Sequence, residues 1–238
     1  AVQVLTVTPN ELSAERPYIK RNITFTRAAY NVNDVKERDF AAEESLTPEL
    51  LEANQLTVEN IRLWDHRPLL STYAQLQAIR TYYDFHDVDN DRYTIGGKYR
   101  QVMLSARELN YEALPSRTWV NEQLTYTHGY GVVLSPVNRI LREGEPAFLL
   151  KDIPTEGHSD LKLDRPEIYY GETVNPYVFV RTNAREFDYP VGDQNEYTHY
   201  QGDGGVPVGG WLKRLMWAFR FKSMSILMNT DVHAESRI

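Results

Sequence analysis

Three patterns of apolar and polar positions follow one another along this chain. In the first third, apolar residues recur at helical spacing. Thr8-Pro9-Asn10-Glu11 has the form of a helix start, with threonine as cap, proline at the first helical position and an answering glutamate. Pro17 is expected to end or kink that first turn, after which Ile19, Ile23, Thr26 and Tyr30 share a face, so a helix is predicted over about 9–30. Thr47-Pro48-Glu49 repeats the start signal, and Thr57 caps a further turn toward Trp64, giving helical segments over about 48–63. Asp65-His66-Arg67-Pro68 opens a stronger helix over about 68–83, in which Leu69, Tyr73, Leu76 and Tyr83 face inward.

The period then shortens to two. Tyr93 and Ile95, a Gly96-Gly97 turn, and Tyr99, Gln101, Met103 and Ser105 describe a hairpin. Short β-branched or aromatic runs at 132–134, 147–151, 167–170 and 177–181, bounded by glycine, proline or asparagine, read as strands, and a hairpin is expected around 197–200. A last amphipathic helix is predicted near 209–221, with Leu212, Leu215, Met216 and Phe219 inward and Lys213, Arg214 and Arg220 outward. Helices first, antiparallel strands from about 93 to 200 and a closing helix make the fold class α+β, read as one domain over 1–238.

Composition narrows the function classes. Thirty-three acidic against 26 basic residues leave a formal net charge of −7, which argues against a grip on nucleic acid. The chain has no cysteine, which removes disulfides, thiolate metal sites and cysteine nucleophiles. Without a run of about 18 apolar residues, nothing in the sequence reads as a membrane span. The unannounced ends, Ala1-Val2-Gln3 and Ser236-Arg237-Ile238, suggest a piece of a longer polypeptide. Sixteen tyrosines against 8 phenylalanines suggest surfaces where rings pack and hydroxyls stay wet.

The stretch WVNEQLTYTHGYGVVLSPVN, 119–138, concentrates the candidate chemistry. His128 stands between tyrosines at a glycine corner, a setting for a general base or metal ligand, and equally for an ordinary tight turn. Asp188, in Glu186-Phe187-Asp188-Tyr189-Pro190, and Asp203, near His199, are the carboxylates that would complete a catalytic pair with it; ion pairs with arginines such as Arg181 and Arg185 explain the acids at 186–188 more simply. Asp87, Asp89 and Asp91 alternate as at the start of a calcium loop, but Arg92 stands where glycine is required and Lys98 where the closing glutamate belongs. An acidic turn leading into the hairpin is the simpler account. The run GDGGVPVGG at 202–210 precedes a helix and matches no phosphate-loop pattern, so close passage of the chain by a neighbour is expected there. No pattern implies a cofactor.

The segments NITFTRAAYNVNDVKERDF, ENIRLWDHRPLLSTYAQLQAIRTYYDFHDVDNDRY, TWVNEQLTYTHGYGVVLSPVNRI, RPEIYYGE, EFDYP and YTHYQGDGGVP together resemble the bacterial uncharacterised protein family numbered 0182. The resemblance implies large multi-pass membrane proteins with a bundle of membrane helices followed by a long soluble region, of which this chain would be part. It implies no activity, substrate or catalytic residue. His66, His86 and Arg142 stand at positions expected to vary, whereas His128 lies inside a matching motif. The resulting expectation is a non-enzymatic extracytoplasmic domain, associated with the membrane through transmembrane segments outside this chain. It would bind the remaining domains of its own polypeptide or another envelope component, with no nucleic acid partner. Two alternatives are an envelope hydrolase or transferase using His128 with a nearby carboxylate, and a receptor domain for a small solute.

Overall fold

The structure is a computed structural model that describes residues 3–39, 46–173 and 177–238. It divides into two compact units, Ala1–Pro48 and Glu49–Ile238. In the first, α1 (Glu11–Ala29) continues through Pro17 instead of ending there. Its Ile19, Ile23 and Tyr30 share a face as the spacing predicts, yet all are exposed and the helix buries none of its residues.

The second unit opens with α2 (Pro48–Ala53, begun at the boundary residue) and α3 (Gln55–Val58), and α4 (His66–Gln77) follows. The Asp65 carboxylate accepts the Arg67 N–H at 3.0 Å and so caps α4, as Asp-x-x-Pro foretells. Leu69, Tyr73 and Gln77, at i, i+4 and i+8, form its buried stripe. The helix ends six residues before the predicted limit. Ile79 takes a left-handed φ of 66° and turns the chain, so Tyr83 begins β1 (Tyr83–Phe85) instead of closing α4.

The hairpin β2 (Asp89–Ile95) and β3 (Lys98–Leu109) turns on Gly96 and Gly97, both at positive φ, as their pairing of Ile95 with Lys98 requires. β3 is longer than the sequence predicts and organises the unit. One edge pairs with β2 over its first half and with β1 over its last three residues. The other edge pairs with β5 (Val132–Pro136), which follows β4 (Gly129–Tyr130). β6 (Leu150–Lys151) and β7 (Glu156–Gly157) extend the sheet beyond β5. All these pairings are antiparallel, and the mixed helix and strand content is the expected α+β class. α4 lays Leu69 and Tyr73 against Phe85, Met103, Val133 and Val137 of this sheet.

Two small sheets complete the strands: β4 with β8 (Glu167–Ile168), and β9 (Glu186–Val191) with β10 (Gln194–Thr198). The run 177–181, predicted as a strand, makes only a bridge from Val180 to Arg237. Tyr82, Tyr83, Tyr111 and Tyr130 pack with Leu109 and Phe187 into a buried cluster. Their hydroxyls are not uniformly wet: those of Tyr73 and Tyr83 are spent on the carbonyls of Met103 and Asp188, both at 3.2 Å.

The chain closes with α5 (Trp211–Phe221) and α6 (Ser225–Met228), joined by Lys222 in the left-handed region at φ 52°. α5 lies where predicted, but the wrong face is buried. Ala218, Trp217 and Phe221 pack on Leu124, Phe179, Val208 and Ile226, whereas Leu212, Leu215, Met216 and Phe219 are exposed. Arg214 also points inward, donating to the carbonyls of Ile226, Leu227 and Asn229 at 2.5–3.2 Å. It thereby caps the end of α6, whose last carbonyls have no partner in their own helix.

Candidate functional site

The glycine corner at His128 gathers several buried polar side chains. β4 passes so close to β3 that a Cβ on Gly129 would stand 2.2 Å from the Arg107 carbonyl oxygen, which excludes any other residue there. Gly131, at φ +72°, is needed for its left-handed turn, and its space is occupied by the Thr155 hydroxyl. These contacts pin the segment and turn the His128 side chain inward, leaving 1 % of the residue exposed.

Glu186 and Asp188 are two apart on β9 and so lie on one face of the strand. That face meets the corner. The Glu186 carboxylate accepts from the Thr127 hydroxyl at 2.9 Å, the Tyr169 hydroxyl at 2.7 Å and the Tyr200 N–H at 3.1 Å. Thr127 has one hydroxyl proton, and the carboxylate takes it. The 2.9 Å contact between Thr127 Oγ1 and His128 Nδ1 is therefore donated by the imidazole. On the far side Nε2 faces Asp188 Oδ1 at 3.4 Å, and the ring lies 4.5 Å, centroid to centroid, from Tyr169. Both ring nitrogens thus face oxygen atoms of neighbouring side chains. Burial, and then the Glu186 carboxylate beside it, push the Tyr169 hydroxyl well above its ordinary pKa, so it stays a neutral donor.

Two further buried charges brace the corner from β3. Arg107 is fully buried and donates to the carbonyls of Gln77 and Tyr130 at 2.8 Å, tying α4 to β4 across the sheet. Burial lowers its pKa to about 10, leaving it protonated at neutral pH. Glu108 accepts the N–H groups of Glu172 and Thr173 at 2.7 and 3.0 Å, fastening the loop after Tyr169. Neither residue is singled out by the sequence. Nothing local marks them, because adjacent charges in a strand ordinarily read as solvent-facing.

The other predicted residues do not join this site. Asp203 is fully exposed, 3.5 Å from Arg181, and its backbone carbonyl accepts from Arg237. Of the arginines expected to hold Glu186 and Asp188, Arg181 takes Asp203 instead and Arg185 stacks on Tyr197 at 4.5 Å. Asp87, Asp89 and Asp91 are exposed at the entry to β2, where Asp87 and Asp91 accept the next residue's N–H. Among the described residues no three acidic or histidine side chains converge as a metal site. The glycine loop behaves as the spacing suggests. It curls around Arg237, which takes the carbonyls of Asp203, Gly204 and Gly205, and a Cβ on Gly205 would stand 2.8 Å from the Ile238 carbonyl. Carbonyls aimed at a guanidinium make it a cation's cradle, already filled, rather than an anion site.

A cavity of about 30 Å³ touches His128, Thr127, Tyr169 and Glu108. That is room for about one water molecule. The network can hold and share protons, but it has no space for a substrate atom beside the imidazole.

The model of the uncharacterised protein family UPF0182 matches residues 1–238. The chain belongs to this family. Among its relatives are UPF0182 proteins of Pelotomaculum thermopropionicum, 54% identical over the whole chain, and of Geotalea uraniireducens, 53% identical over 98% of it. A third, from Geobacter sulfurreducens, is 51% identical. The chain spans 26% of the length of each. No solved structure matches. Among the described residues no helix is long and apolar enough to cross a membrane.

Proposed function

We propose that this chain is a non-enzymatic, extracytoplasmic binding domain of a larger membrane-anchored UPF0182 protein. In this reading the exposed apolar face of α5 and α6 is the binding surface and the His128 corner is architecture. The face supports it most directly. Trp211 is 71%, Met216 70%, Phe219 87%, Met224 68% and Met228 77% exposed, with Leu212 and Leu215 between them. Seven large exposed apolar side chains between Trp211 and Met228 cost solubility, and such concentrations mark surfaces that are covered in the working protein. The sealed histidine supports it from the other side, because a general base needs hydrogen-bond reach to a substrate proton. The anchored, extracytoplasmic setting is carried by the family resemblance and by relatives about four times as long.

The test is pull-down of the full-length protein from membranes with this region intact, deleted, or carrying Leu215→Glu with Phe219→Glu. Deletion and the double substitution should both abolish whatever association the region makes, while His128→Asn, provided it folds, should leave it. Loss of association with His128→Asn alone would shift the binding surface to the corner.

A further inference from the structure

The second face of α5 has a chemistry of its own. At about 100° per residue, Trp211, Leu215, Phe219, Leu212 and Met216 span roughly 140° of the helix circumference. Lys213 and Arg220 fall between that arc and the buried stripe of Ala218, Trp217 and Phe221. Past the turn, Met224 and Met228 are exposed as well. From Trp211 to Asn229 the sequence holds Lys213, Arg214, Arg220 and Lys222 and no acidic residue, in a chain whose formal net charge is −7. Arg214 is spent on α6, so Lys213, Arg220 and Lys222 are the cations left to a ligand. Beside them lies a hollow of about 430 Å³ lined by Val206, Pro207, Met216 and Trp217, with Lys213 and Arg220 also in its wall.

We infer that this face docks on the anionic surface of a lipid bilayer. The inference rests on the binding reading above and names its partner. α5 lies along the interface with Leu215, Met216 and Phe219 among the acyl chains, Trp211 at the headgroup level, and Lys213, Arg220 and Lys222 against headgroup phosphates. Charge decides for lipid over protein. The stretch from Trp211 to Asn229 carries exposed Lys213, Arg220 and Lys222 and no acidic residue, in an acidic chain, which complements a surface that is uniformly anionic. Leu212, Leu215 and Phe219 bring no hydrogen-bonding group, which suits hydrocarbon. Three methionines add adaptable contact without a fixed shape to match.

Vesicle flotation of the 238-residue chain tests this, using phosphatidylcholine vesicles with and without phosphatidylglycerol. The chain should bind the anionic vesicles at least about tenfold more tightly, with a blue-shifted tryptophan emission, and the preference should fade in high salt. Leu215→Glu with Phe219→Glu should abolish binding to both vesicles. Lys213→Glu with Arg220→Glu should remove the anionic preference alone. All four positions lie on an exposed surface, and an unchanged circular dichroism spectrum confirms that the variants fold. Absence of vesicle binding overturns the inference, as does equal binding to neutral vesicles or indifference to Leu215→Glu with Phe219→Glu. A concentration-dependent dimer abolished by the same double substitution overturns it in favour of a second copy of the chain. If vesicles fail while the full-length protein still loses its association with the double variant, the binding reading stands and a protein partner replaces lipid.

Discussion

Replacing Glu186 by alanine isolates what holds the His128 corner together. The carboxylate accepts three hydrogen bonds, two of them from the buried hydroxyl of Thr127 and the hydroxyl of Tyr169. The Tyr169 hydroxyl is left without its acceptor and the Thr127 hydroxyl with only the His128 imidazole, at about 1–3 kcal/mol each. His128 also loses the polarised Thr127 oxygen that fixes its tautomer. The sum is a loss of about 3–5 kcal/mol, a large share of the roughly 5–15 kcal/mol that holds a domain together. Glu186→Gln keeps one acceptor oxygen and should cost about half as much. Urea unfolding of the chain, followed by tyrosine fluorescence and circular dichroism, measures both, and the dependence on denaturant should keep its slope while the midpoint falls. A loss under about 1 kcal/mol for Glu186→Ala would mean that the network is not what secures β9 against β4, and the architectural account of His128 would fail with it.

Other expectations follow from the same geometry. Gly129→Ala places a methyl 2.2 Å from backbone and should cost about 3 kcal/mol or more, whereas Gly97→Asn at the β2–β3 turn, with open space and a positive φ that asparagine tolerates, should cost under about 1 kcal/mol; thermal unfolding separates them. Phe219→Ser should change stability by no more than about 0.5 kcal/mol because the side chain is exposed, against about 3–5 kcal/mol if it were core. Alkaline unfolding should begin above about pH 10, where tyrosines ordinarily ionise. Burial raises the hydroxyls of Tyr73, Tyr83, Tyr111, Tyr130 and Tyr169. Each therefore favours the folded state below that pH and loses this contribution as pH rises, because only the unfolded chain gives up its proton. Arg107, lowered by burial, works in the opposite sense, but one arginine faces five tyrosines. Tyrosinate absorbance should rise together with the loss of circular dichroism; a rise well before it would show those rings to be wet.

Much of this was legible in the sequence where the signal is local. The cap of α4, the Gly96-Gly97 hairpin and the α+β class all depend on residues a few positions apart. What was not legible depends on pairing at a distance. Glu186 and Asp188 stand out as carboxylates among aromatics, but their convergence on a histidine about sixty positions earlier is set by the packing of β9 beside β4. Arg107 and Glu108 look like a surface pair because buried charges betray themselves only through the carbonyls and amides that surround them. The orientation of α5 differs from the one its periodicity predicts for a related reason. Its two stripes, Leu212 with Met216 and Phe219, and Trp217 with Ala218 and Phe221, are both apolar, and periodicity cannot say which one the rest of the chain covers. Arg214 settled it, since the carbonyls it caps lie on the buried side.

The binding role of the α5 and α6 face is tested most directly by the chain's own methionines. Three of the four, Met216, Met224 and Met228, lie on that face, and the fourth, Met103, is fully buried in the sheet. Peroxide oxidation followed by mass spectrometry reads all four at once, because an exposed thioether oxidises readily and a buried one does not. In the isolated chain the three should oxidise quickly and Met103 slowly. In the full-length protein within its membrane, all four should be slow. Equal oxidation of Met216, Met224 and Met228 in the two settings would leave the face bare in the working protein and contradict the account.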